Sequence, residues 1–199
     1  MNIRPVAELG NSQYFIWELT DITLPKGLDE IIEKSEWKEY GRNILLKHPS
    51  KRFIADKFDA TVFDPILKYL NYIIRNREDY NILPIWPLDP KNSFLDSHWG
   101  TKIIKDQSDF YMSAHIDNNL MFATCIINLQ DNGENTTEYF KDSGGKELMY
   151  KSSGTKGTGV LHVNSPFLYH SAYNKSEKDR IISISNLNIS AVINNGKPI

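Results

Sequence analysis

The stretch Ala114-His115-Ile116-Asp117, with Tyr169-His170-Ser171 and Asp179-Arg180-Ile181 farther along the chain, decides how this sequence can fold. In an extended strand, side chains two residues apart leave the backbone on the same face, so His115 and Asp117 can offer an imidazole nitrogen and a carboxylate oxygen to one ion. His170 can supply a third ligand if the chain doubles back. The pattern therefore predicts a metal site built from strands that are distant in sequence.

Arg180 begins an apolar, strand-like run that follows the third candidate ligand. A guanidinium is a planar fork that binds a carboxylate through two parallel hydrogen bonds and keeps its charge. A long cation that faces the interior of a barrel needs an anion. The position of Arg180 therefore predicts that the site holds a ligand with a carboxylate.

The ordered set His115-x-Asp117, His170 and Arg180 resembles the signature of the 2-oxoglutarate/Fe(II)-dependent oxygenases, and is similar to that of short prolyl-hydroxylase-like members from bacteria and phages. The resemblance covers residues 110–187. It implies that His115, Asp117 and His170 form the catalytic centre and bind Fe(II), and that Arg180 holds the cosubstrate 2-oxoglutarate. The implied reaction consumes O2, hydroxylates a small-molecule or peptidyl substrate, and releases succinate and CO2.

Three further residues are candidates for holding the cosubstrate. Tyr111 shares the strand face of His115 by alternation, with a half-buried core tyrosine as the competing interpretation. Thr124 and Asn128 belong to the strand that would line the barrel beside the metal. His162 is a rival third ligand, but the resembling proteins usually have an aromatic or apolar residue there, so we interpret it as a packed histidine.

The order of patterns predicts a mainly β protein with N-terminal helices and a double-stranded β-helix core, the jelly roll of cupins. We expect one domain over residues 1–199, with a helical support region at 1–84 and the β-helix core at 85–190. Helices are predicted over Pro25 to Tyr40 and Thr61 to Asp79. Strands are predicted into His115, over 120–129, over 159–163, around His170, and over 180–185.

Composition limits the alternatives. A net charge of −2 gives no electrostatic reason to expect a nucleic-acid partner, and no apolar run reaches the length of a membrane span. Cys125 is the single cysteine, which suits a reducing, cytoplasmic setting. Two alternatives to an oxygenase stay open: a cupin-like metal-binding module or isomerase without oxygen activation, and a degenerate member that acts as a binding or structural protein. The sequence does not indicate an oligomeric state.

Overall fold

The computed structural model describes the backbone of residues 1–8, 14–40, 51–75, 94–117, 121–165, 167–194 and 197–198, and two antiparallel β-sheets dominate this part of the chain. The strands are numbered in chain order. The larger sheet contains β1 (Asn2–Glu8), β2 (Tyr14–Thr20), β3 (Glu36–Glu39), β4 (Arg52–Asp56), β5 (Phe94–Asp106), β7 (Met121–Asn128), β10 (Gly159–Val163), β12 (Arg180–Asn194) and β13 (Lys197–Pro198). The smaller sheet contains β6 (Phe110–His115), β8 (Thr137–Phe140), β9 (Leu148–Lys151) and β11 (Tyr169–Asn174).

Strand order places residues that are distant in sequence side by side. The larger sheet runs β1-β2-β10-β7-β12-β5-β4-β3, with β13 paired to β12, and the smaller sheet runs β6-β11-β8-β9. Because β6 pairs with β11, His115 lies directly opposite His170. The chain thus doubles back between the two candidate histidine ligands, as the sequence predicted.

Two layers of apolar side chains flank the larger sheet, because alternate residues of each strand point to opposite faces. Along β12, Ile181 and Leu187 join a core with the helices, whereas Ile182 joins a second core with Tyr139 of the smaller sheet. The molecule therefore has helices on one face of the larger sheet and the smaller sheet on the other. The space between the sheets contains the site described below.

The helices are shorter than the sequence predicts. Helix α1 spans Leu28–Lys34, and α2 spans Asp64–Arg75 after a 3-10 turn at Ala60–Phe63. The apolar face of α2 packs on the sheet through Ile66, Leu67, Leu70, Ile73 and Ile74. Residues 76–79 of the second predicted helix lie outside the described part. No helix in that part is long and apolar enough to cross a membrane.

The prediction of a helix over Pro25 to Tyr40 is wrong beyond residue 34. Ser35 has an extended backbone, and its hydroxyl donates to the carbonyl of Ile31 over 2.7 Å, which ends the helix. The next residues form β3, which pairs with β4. The predicted helical support region over 1–84 contains four strands of the larger sheet in addition to its two helices, so helices alone do not describe it. The expected division into support region and core at residue 84 lies outside the described residues and stays a prediction.

Candidate metal centre and cosubstrate cavity

His115, Asp117 and His170, which we call the metal-ligand cluster, converge at the edge of the smaller sheet. Among the described residues, these three offer ligand atoms that all lie within 4.8 Å of one another. The Oδ1 atom of Asp117 is 3.6 Å from His170 Nε2 and 3.9 Å from His115 Nε2. Two imidazoles and one carboxylate at this spacing match the donor set of the facial triad that binds ferrous iron in oxygenases. The residues therefore fit a divalent metal ion.

Neighbouring groups keep the cluster in the protonation state that a metal requires. His115 Nδ1 donates to the carbonyl of Ser113 over 2.8 Å, so its Nε2 lone pair faces the cluster. Burial lowers the pKa of His170 to about 3, so its ring is neutral near pH 7. Burial would raise the pKa of the Asp117 carboxyl, but the His162 hydrogen bond and the other neighbouring imidazoles outweigh burial and hold it below its usual range. Metals bind neutral imidazole and ionised carboxylate.

Arg52, Asp106 and Arg180, which we call the guanidinium cluster, form a buried network of charges. Arg52 binds the Asp106 carboxylate through two hydrogen bonds of 2.6 and 2.9 Å, and Arg180 Nη1 donates to the same carboxylate over 3.0 Å. Arg180 also donates to the Asn135 carbonyl and to the Thr137 hydroxyl. One carboxylate between two guanidiniums leaves a net positive charge, because arginine keeps its proton in proteins.

The two clusters open on one cavity of about 400 Å³ between the sheets. His115, Asp117 and His170 line it, as do Arg52 and Arg180. Each terminal nitrogen of Arg180 uses one N–H within the network and carries a second N–H. The walls between the clusters are mostly apolar, formed by Met112, Ile104, Ile126, Ile182 and Ile184. The cavity is of a size that holds a small molecule.

Tyr111 does not line this cavity, so the structure does not place it where the sequence predicted. Its side chain is 62% exposed. The register of β6 and β11 shifts between His170 and Ala172, so that Ser113 and Ala114 together lie opposite a single residue, Ser171. This β-bulge interrupts the alternation of faces. As a result Met112, rather than Tyr111, shares the cavity face with His115.

Thr124 and Asn128 lie on the same face of β7 but at different depths. Thr124 lines the cavity, and its hydroxyl is 3.1 Å from both Asp117 Oδ2 and Asn186 Oδ1. Asn128 is buried deeper, and its amide donates to the Ser153 carbonyl over 2.8 Å. Asn128 does not line the cavity, because its amide donates to loop carbonyls, so its contact with a cosubstrate stays a prediction.

Two charged residues at the site were missed by the sequence analysis. Arg52 and Asp106 complete the network around Arg180, and His162 contacts Asp117. Charged residues at strand ends usually face solvent, so the sequence alone did not predict that Arg52 and Asp106 are buried. A signal was nevertheless present in Asp106, which directly follows the apolar run of β5. His162 was interpreted as packed, and it is indeed buried.

No protein-family profile matches the chain, and no curated protein matches it. Solved structures do match. A prolyl hydroxylase from Trichoplax adhaerens, in complex with a hypoxia inducible factor oxygen degradation domain peptide fragment, is similar over 87% of this chain and 83% of its own, with TM-score 0.62 and 10% identity. A Pseudomonas putida prolyl-4-hydroxylase is similar over 87% of this chain and 92% of its own, with TM-score 0.59 and 10% identity.

A third similar structure carries a different activity in its name. It is the non-heme alpha ketoglutarate dependent epimerase SnoN from nogalamycin biosynthesis, which is similar over 88% of this chain and 77% of its own, with TM-score 0.54 and 11% identity. At these identities the similarity shows the fold. The chain has the double-stranded β-helix fold of the 2-oxoglutarate/Fe(II) oxygenases, which confirms the predicted fold class and, for the fold, the resemblance.

Proposed function

We propose that this protein is an Fe(II)- and 2-oxoglutarate-dependent dioxygenase that hydroxylates its substrate and releases succinate and CO2. The observation that carries the proposal is that the metal-ligand cluster and Arg180 line the same cavity. A keto acid with a second carboxylate needs a metal ion at one end and a fixed cation at the other. The residues that would hold the metal ion and a fixed cation line the same cavity, and the similar fold of a prolyl hydroxylase supports the proposal.

Different residues of the cavity would bind the metal, bind the cosubstrate and exclude water. His115, Asp117 and His170 would hold the iron, which when bound supplies oxygen activation coupled to decarboxylation of the cosubstrate. Arg180 would bind the far carboxylate of 2-oxoglutarate with the N–H groups that its network leaves available. Asn135 and Thr137 would keep the guanidinium from turning. The apolar walls would exclude water from the reacting centre.

A peptidyl or small-molecule substrate would enter past Ile116, which lines the cavity and is 40% exposed. The similarity to a prolyl hydroxylase in complex with a peptide supports a test of peptides first.

A cytoplasmic setting is part of the proposal, because a reducing compartment keeps iron ferrous. The similarity to an epimerase means that the product must be identified rather than assumed. A metal-binding barrel without oxygen chemistry is the alternative, but it leaves the second positive charge of the guanidinium cluster, which Asp106 alone does not neutralise, without an acid to bind.

The proposal is tested by anaerobic spectroscopy of the iron-loaded protein. Addition of 2-oxoglutarate should produce a weak visible charge-transfer band, because a keto acid chelated through two oxygens presents a low-lying π* orbital to the metal. Admission of O2 should bleach the band and release succinate, and Asp117→Ala should give neither signal. Absence of both band and succinate in folded, iron-loaded wild-type protein would overturn the proposal. A screen for substrates that accelerate succinate release would then identify the substrate class.

A further inference from the structure

His162 lies directly behind the metal-ligand cluster. It belongs to β10 and is fully buried. Its Nε2 atom is 3.4 Å from Asp117 Oδ2, and its Nδ1 atom is 2.9 Å from the Tyr139 hydroxyl. The imidazole thus connects a phenol of the smaller sheet to the carboxylate of the cluster.

The chemistry of the partners fixes the direction of these hydrogen bonds. An ionised carboxylate can only accept, so the proton between Asp117 and His162 belongs to Nε2. In the tautomer with its single proton on Nε2, the ring has a lone pair on Nδ1, which accepts from the Tyr139 hydroxyl. The hydrogen bonds therefore run from Tyr139 to His162 and from His162 to Asp117.

This arrangement makes the two oxygens of Asp117 unequal. Oδ2 lies beside His162 and 3.1 Å from the Thr124 hydroxyl. Oδ1 instead lies near the Nε2 atoms of His115 and His170. A carboxylate held by one oxygen offers mainly the other oxygen to an ion.

We propose that His162 is a positioning residue that, with Tyr139, restricts Asp117 to binding the metal through Oδ1 alone. The inference rests on the metal site of the proposed function. Binding through one oxygen leaves more coordination positions open than binding through two. Groups that hydrogen-bond to a metal ligand orient it, and their removal typically lowers metal affinity roughly 10–100-fold.

The test compares two replacements of His162 of similar size. In His162→Gln the side-chain amide can still donate to Asp117 and accept from Tyr139, whereas His162→Phe is flat like imidazole and can do neither. Metal-free protein is titrated with Co(II), and binding is followed by the ligand-field absorption of the ion. We expect His162→Phe to weaken Co(II) binding roughly 10–100-fold. We also expect its absorption bands to shift as Asp117 Oδ2 becomes free to bind.

The glutamine variant provides the rescue that a merely structural role would not predict. It should retain the wild-type absorption bands and most of the affinity. Tyr139→Phe, which removes one hydroxyl, should give a smaller loss of affinity in the same direction. If His162→Phe fails to fold, as judged by circular dichroism of the metal-free protein, the tyrosine variant decides, and an unchanged affinity overturns the inference.

The Co(II) titration distinguishes failure of the positioning role of His162 from failure of the proposed metal site. If wild-type protein binds Co(II) but the folded phenylalanine variant has the same affinity and the same bands, the positioning role is wrong and the metal site stands. If wild-type protein binds no Co(II), the proposed function is overturned together with this inference.

Discussion

The metal-ligand cluster and the guanidinium cluster open on one cavity but offer it opposite kinds of group. The first offers the Asp117 carboxylate and imidazole nitrogens, and the His170 ring is neutral near pH 7. In the second, one carboxylate lies between two guanidiniums, and the net charge is positive. The first therefore suits a cation and the second an anion. The comparison supports the proposal that one small cavity binds a metal ion and an acid together.

The largest effect should come from removing the carboxylate of the guanidinium cluster. Asp106→Asn leaves two buried guanidiniums facing each other without a counter-charge, which should lower the free energy of unfolding by about 3–5 kcal/mol. Chemical denaturation measures this. The matched control is Asp109→Asn, because Asp109 is 80% exposed and its ion pair with Lys51 should contribute about 1 kcal/mol or less. Equal effects of both variants would mean that the Arg52–Asp106–Arg180 network does not stabilise the fold.

The metal-ligand cluster should instead control metal content. His170→Ala removes a ligand and should lower metal affinity by more than the roughly 100-fold expected for a neighbouring group. Metal analysis after dialysis measures the occupancy, with His162→Ala as the comparison. Full occupancy in His170→Ala, with loss in His162→Ala, would reverse the ligand assignment.

Replacement of Arg180 should weaken 2-oxoglutarate binding without affecting metal binding. Arg180→Ala removes a charge-assisted contact to the cosubstrate and should cost about 1.5–3 kcal/mol, or roughly ten- to a hundredfold in 2-oxoglutarate affinity. Metal binding should survive, since Arg180 is not a ligand, and Arg52 still pairs with Asp106. Calorimetry measures both affinities. An unchanged 2-oxoglutarate affinity would direct attention to Lys102, which also lines the cavity. Lys105, on the same strand, instead lies over the Trp37 ring.

The smallest effect concerns pH. The pKa of His170 falls from an ordinary 6.5 to about 3 on folding, so the folded protein prefers the neutral ring. Below pH 6.5 the unfolded chain binds a proton that the folded protein does not, so the free energy of unfolding is highest above pH 6.5 and decreases as the pH falls toward 3. For metal-free protein we expect a loss of about 1–2 kcal/mol between pH 7 and pH 5. Denaturation at the two pH values measures it, and His170→Gln should show a smaller loss. An equal loss in both proteins would exclude His170 as the source.

The sequence predicted best what depends on neighbouring residues. Strand β10 coincides with the predicted run from Gly159 to Val163, because an apolar β-branched run bounded by turns is a local signal. Strands β1 and β2 were missed, since Pro5 and interspersed charges weaken their local pattern and pairing between distant segments stabilises them. The predicted helix beyond Lys34 failed for the same reason, because pairing with β4 determines its conformation.

In the site, too, local patterns were predictable from the sequence and long-range pairing was not. Motif spacing was enough to predict that His115, Asp117 and His170 would meet, and the structure brings them together. It could not indicate that Asp106 joins Arg180 to Arg52, because that network depends on which strands become neighbours. Nor could it place Tyr111, since a bulge leaves no clear mark in the residues that form it.

That bulge makes one contact of the site independent of side-chain identity. The group that accepts from His115 Nδ1 is the backbone carbonyl of Ser113, one of the two residues that lie opposite Ser171. Every amino acid has this carbonyl, so alanine at position 113 would leave the hydrogen bond in place. Deletion of one residue between Met112 and His115 would remove it. The orientation of His115 therefore depends on the number of residues in the bulge. A substitution at position 113 keeps this orientation, whereas a single-codon deletion would change it.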